Sequence, residues 1–170
     1  MNTSTVKLYS LEYAQLRTYA MAALFILGNI ALPQLCHLIP DGGRIFLPIY
    51  FFTLLGAYKY GWRVGILTAV VSPVLNSLLF GMPSAAVLPA ILFKSVILAV
   101  AAGWVAGRCK RAALLPITAA VLFSQIAGCA FEWLLTGSFT AAVSDFRLGL
   151  AGMVIQIAGC WALIRFVIRK

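Results

Sequence analysis

Acidic residues are nearly missing: 170 residues hold four Asp and Glu, beside 13 Lys and Arg and one His. Charged residues make up only 10% of the chain, where a soluble domain needs roughly a quarter to cover its surface. That shortage excludes an ordinary soluble globular protein. Several catalytic and cofactor signatures are also missing. There is no GxSxG, HExxH or Walker loop, so any energy from nucleotide must come through another chain. Asp41-Gly42-Gly43-Arg44 superficially matches the opening of membrane phosphotransferases, but no second aspartate follows before Asp145 to hold their divalent metal. Cys36, Cys109, Cys129 and Cys160 form no CxxC pair and lie mostly in apolar runs, as small buried hydrophobes do. His37 stands beside Cys36 without a further ligand at metal spacing, so neither a metal nor another cofactor is expected. The first apolar run ends in Ala31-Leu32-Pro33 with no small-x-small cleavage site, which argues against a signal peptide.

What is present is apolar. The chain is 63% hydrophobic, with a mean hydropathy of +1.01. Hydrocarbon is therefore much of its solvent, and spans of about 20 residues would consume nearly all of it. The expected fold is all-α: one integral membrane bundle of six transmembrane helices near 17–36, 45–60, 64–80, 85–106, 112–135 and 146–168. The net charge of +9 is confined to short clusters between these runs, without a basic patch carrying exposed aromatics. It is read as topology and headgroup contact rather than nucleic-acid binding.

Charge placement predicts orientation. Lys7, Arg17, Lys59, Arg63, Arg108, Lys110, Arg111, Arg165, Arg169 and Lys170 fall on one side, and only Arg44 and Arg147 on the other. The positive-inside rule makes the rich side, and with it both termini, cytoplasmic.

Lys94 is the exception, an ammonium inside the fourth span. An ionisable group there costs about 2.5–3.5 kcal/mol or more unless satisfied, and so marks a functional hypothesis. Ten residues into that span, it lies roughly 15 Å from the outer surface at about 1.5 Å per residue. Glu132 lies nearer the outer end of the fifth span. Helical side chains lean toward their own N-terminus. Lys94 therefore leans outward and Glu132 inward, which brings their heads toward each other or toward two ends of one ligand. A ligand site and a structural ion pair are both compatible with this pattern. Gln125, two turns from Glu132 on one face, joins Gln156, Asn76 and Asn29 in a polar set weighted to the outer half. Each amide could instead tie two helices together. Tyr50 and Trp133 are candidates to stack on a planar ligand, or to anchor at the interface. Ala14, Thr18 and Ala22 recur every four residues as a small-residue ridge on the first span. Such a ridge serves internal packing or a partner helix.

The stretch Leu54-Leu55-Gly56-Ala57-Tyr58-Lys59-Tyr60-Gly61-Trp62-Arg63-Val64-Gly65, continuing through Asn76 to Leu78-Leu79-Phe80-Gly81-Met82-Pro83, resembles a helix-turn-helix signature of a known family. It is similar to the S components of energy-coupling factor (ECF) vitamin transporters, and the layout of nearly the whole chain matches them. The resemblance implies a substrate-binding subunit of a cell-membrane importer, docked on a transmembrane T component driven by two ATPase subunits. It implies that the loop 33–44, with His37, Asp41 and Arg44, gates an outward-facing site. Lys94, Gln125, Glu132, Trp133 and Gln156 would line that site, and the ridge Ala14/Thr18/Ala22 would be the docking face. Nickel and cobalt members carry a histidine after the initiator methionine. This chain begins Met1-Asn2, which points to an organic ligand, and Lys94 suits a water-soluble vitamin or precursor carrying an acidic group. The competing readings are a self-contained permease or channel and a membrane scaffold. An intramembrane enzyme lacks a catalytic constellation.

Overall fold

The computed structural model describes residues 8–110 and 112–167. Met1, Asn2, Lys7, Arg111, Arg169, Lys170 and the last residue of the sixth expected span lie outside them. Every regular element among the described residues is helical. Five segments are long and apolar enough to cross a membrane: α1 (Leu16–Cys36), α4 (Trp62–Phe80), α5 (Leu88–Cys109), α6 (Leu114–Thr136) and Leu150–Val167. The last of these is α8 (Leu150–Ala162) closed by a π-helical turn. Leu16, Leu27, Leu78, Leu115, Phe123, Leu134, Val154 and Phe166 are all at least 60% exposed. So many bare apolar side chains on several helices suit lipid and not water.

The second expected span is not one helix. Residues 42–46 form a short α2 (Gly42–Phe46), Leu47 turns left-handed at φ 48°, and Pro48–Tyr50 make a 3₁₀ turn before α3 (Phe51–Tyr60). The break lies at Leu47, whose left-handed backbone leaves the helix, and Pro48 behind it has no N–H to give and disfavours helical geometry in residue 47. Proline alone does not end a helix here, since Pro33 and Pro73 lie inside α1 and α4. Ten residues of α3 reach only about 15 Å, half the hydrocarbon thickness. The helix compensates by lying inside the bundle. Thr53 to Tyr60 are all buried, and α1, α4, α5 and α8 surround them.

The sixth expected span is also divided. Its first residues belong to a separate amphipathic α7 (Phe139–Leu148), capped where the Ala141 N–H donates to Ser138 Oγ (3.3 Å) and stopped at Gly149. Phe139, Val143 and Phe146 recur at helical spacing, so the stretch read as a polar loop forms a helix.

At one end of the bundle the chain at 9–13 folds across the basic residues. Tyr9 N–H donates to the Lys59 carbonyl (2.8 Å), the Arg17 guanidinium lies 4.8 Å from the Tyr9 ring, and Arg63 donates to the Leu11 carbonyl (3.4 Å). The Lys94 end of α5 is at the other end.

Candidate functional site

Lys94 enters the site because α5 begins at Leu88, later than the apolar run suggested. That places it about 9 Å from the helix start, while Glu132 is about 6 Å from the end of α6, so their depths nearly match. The Lys94 stem crosses to α6 over Gly128. A Cβ on Gly128 would fall 2.7 Å from Lys94 Cε and 2.8 Å from Cδ, so only a glycine leaves room for the crossing. Lys94 Nζ then donates to Glu132 Oε2 at 2.7 Å and to Asp145 Oδ2 at 3.1 Å. Arg44, from α2, reaches the other oxygen of Asp145 with both Nε and Nη2 at 3.4 Å.

The result is a line of alternating charge: Glu132, Lys94, Asp145, Arg44. Lys94 is its most shielded member and Arg44 its most exposed, with side chains 18%, 9%, 23% and 58% accessible in that order. Two cations and two anions leave it neutral, which offsets the cost of holding an ammonium out of water. Phe93 and Phe131, each the residue before a member of the Lys94–Glu132 pair, stack with centroids 4.1 Å apart and fasten α5 to α6.

The other polar residues are distributed differently. Asn29 donates from Nδ2 to Thr53 Oγ1 (3.0 Å) and Ser72 Oγ (3.1 Å), and its Oδ1 accepts from the Phe52 N–H (3.2 Å). That last bond satisfies an N–H in the first turn of α3, which has no partner within its own helix. Asn76 donates to the Asn29 carbonyl (3.0 Å) and the Ser72 carbonyl (2.9 Å). These amides bind α1, α3 and α4 together; apart from the Asn76–Ser72 bond within α4, their hydrogen bonds run between elements. Gln156 donates to the Leu47 carbonyl (3.2 Å), holding the left-handed break against α8, while its Oε1 and Asn76 Oδ1 have no partner among the described residues. Gln125 is buried on the α6 face shared with Gly128 and Glu132. Tyr50 is buried in the 3₁₀ turn before α3.

Trp133 does not join that line. It is half-exposed and meets Phe139 edge-on at 5.5 Å, in an apolar groove of about 390 Å³ between α6 and α7. Of the loop residues, Arg44 alone bonds to the cluster. Asp41 is exposed and left-handed at φ 54°, and the exposed His37 ring lies over Gly43. The expected docking ridge is not a surface. Thr18 and Ala22 are buried, Thr18 donates to the Glu12 carbonyl at 2.5 Å, and Ala14 sits in a turn before α1 begins. Thr18 and Ala22 fall on the buried face of α1 with Phe25 and Asn29, in a helix packed against α3 and α4, whereas Ala14, Ala20 and Ala23 are exposed.

Asp145 was missed as a site residue. A usable signal existed: the expected outer half holds three cations, Arg44, Lys94 and Arg147, and its only acids besides Glu132 are Asp41 and Asp145. Among the described residues no group of three or more His, Cys, Asp or Glu could hold a metal, and all four cysteines are free. Comparison with family models, curated proteins and solved structures finds no match to this chain.

Proposed function

We propose that this protein is the substrate-binding subunit of an ATP-driven importer of the ECF type, taking up a small water-soluble organic molecule that carries an acidic group. The observation that carries the reading is Lys94, a shielded ammonium held at the end of the bundle remote from most basic residues, in a line of charges that opens to the exposed Arg44. Intramembrane ionisable residues of this kind mark substrate paths more often than they add stability. In this reading the chain passes the membrane six times. The short α3, with the 3₁₀ turn before it, counts as the second pass, and its broken backbone is tolerated because protein covers it. Both termini are cytoplasmic, the Lys94 end faces outward, and α2 is part of the gate. The chain has no nucleotide-binding motif, so a transmembrane T component and two ATPases supply the energy. Because Thr18 and Ala22 are interior, the T component would meet another part of the cytoplasmic half.

Affinity purification from native membranes tests this reading. A T component and two ATPases should co-purify, and native mass spectrometry should show a retained small acid. A chain that purifies alone and still supports uptake in reconstituted vesicles would be a self-contained permease instead.

A further inference from the structure

We infer that Asp145 is an internal stand-in for the carboxylate of the ligand: a small organic monocarboxylate is captured by taking its place between Lys94 and Arg44. The inference rests on the binding role proposed above and specifies its chemistry.

Two cations from different elements converge on this one carboxylate, Lys94 on Oδ2 at 3.1 Å and Arg44 on Oδ1 at 3.4 Å. Both Arg44 contacts fall on the same oxygen, because the other faces Lys94. Charge-assisted hydrogen bonds ordinarily close to about 2.7–2.9 Å, and a guanidinium prefers one oxygen for each N–H. Tethered to α7, Asp145 holds Lys94 at the long end of the hydrogen-bond range and reaches Arg44 only loosely. A carboxylate free to translate would bind both at ordinary length. Glu132 differs, since its bond to Lys94 is already 2.7 Å.

Asp145 is also the member best placed to leave. Its helix α7 buries only Ala142 and is flanked by Gly137 and Gly149. The Asp145 side chain is 23% accessible, so a modest displacement returns it to water. Charge favours the exchange. With Asp145 outside, a monoanion restores neutrality among Lys94, Arg44 and Glu132. A neutral amide leaves an excess cation, and a dianion leaves an excess negative charge. The geometry therefore selects a single carboxylate and makes α7 the element that yields to it.

The test uses the purified subunit with benzoate as probe and benzamide as its uncharged isostere. A resident competitor lowers apparent affinity by the fraction of time it occupies the site. Asp145→Asn should therefore bind benzoate about tenfold more tightly than wild type, and Arg44→Gln about tenfold more weakly, read as shifts in thermal midpoint across a benzoate titration. In the wild type, where no substitution can disturb folding, benzoate and not benzamide should raise hydrogen exchange across α7. Equal responses to benzoate and benzamide, weaker benzoate binding by Asp145→Asn, unchanged α7 exchange, or no benzoate response in either form would overturn the inference. These readouts need no T component. A benzoate site in a chain that recruits no ATPases keeps this inference and removes the importer reading; recruitment without the benzoate effects does the reverse.

Discussion

Gly128 on α6 and Lys94 on α5 are in such close contact that the lysine stem occupies the space a β-carbon would need. The ionic line therefore depends on a residue without any polar group. Gly128→Val should push the stem away from Glu132 and lower the thermal midpoint in detergent by several degrees. Combined with Lys94→Ala, which removes both the stem and the bond, it should cost little more than Lys94→Ala alone. Additive losses would show that Gly128 acts elsewhere.

Lys94→Met leaves Glu132 and Asp145 without their shared cation. Removing one partner of a buried pair costs about 3–5 kcal/mol, mostly from the charge left behind, and the partial exposure of the two acids places the expected loss at or below the lower end. Adding Glu132→Gln to Lys94→Met should therefore recover part of the stability. A double-mutant cycle on chemical unfolding measures this coupling, and a value near zero would mean the pair contributes nothing.

Asn29 should be structural. Asn29→Leu removes two donated hydrogen bonds and strands the Phe52 N–H, each buried group left unsatisfied costing about 1–3 kcal/mol. The thermal midpoint should fall more than for Gln125→Leu. Benzoate affinity, corrected for the folded fraction, should stay within about twofold of wild type, less than 0.5 kcal/mol.

Orientation can be read with the natural thiol at Cys109, which is exposed at the end of α5 beside Arg108. In intact cells a membrane-impermeant maleimide should leave Cys109 unlabelled and should label Arg44→Cys in a variant lacking the natural cysteines. Labelling of Cys109 from outside would invert the proposed topology.

Much of the architecture was legible because lipid imposes a coarse rule. Runs near 17–36, 64–80, 85–106 and 112–135 are predominantly apolar, and each became one long helix with ends shifted by a few residues. The second run failed the same rule at Leu47-Pro48. Both residues sit comfortably in a hydropathy window, yet with Leu47 turned left-handed the helix ends there, whereas α1 and α4 run on through Pro33 and Pro73. Asp145 was obscured by the opposite error: a stretch rich in Ser, Thr and Asp reads as a loop until its Phe139, Val143 and Phe146 are seen to share a helix face.

Composition and the cost of an ammonium in hydrocarbon were enough to fix the solvent, the helical class and the need for a counter-charge to Lys94. They did not determine which acids would meet that ammonium, or that the asparagines would bond to neighbouring helices. Those outcomes depend on distances between side chains on different helices, set by where Gly128 allows close approach and where Leu47-Pro48 breaks the chain. Only the packed bundle decides them.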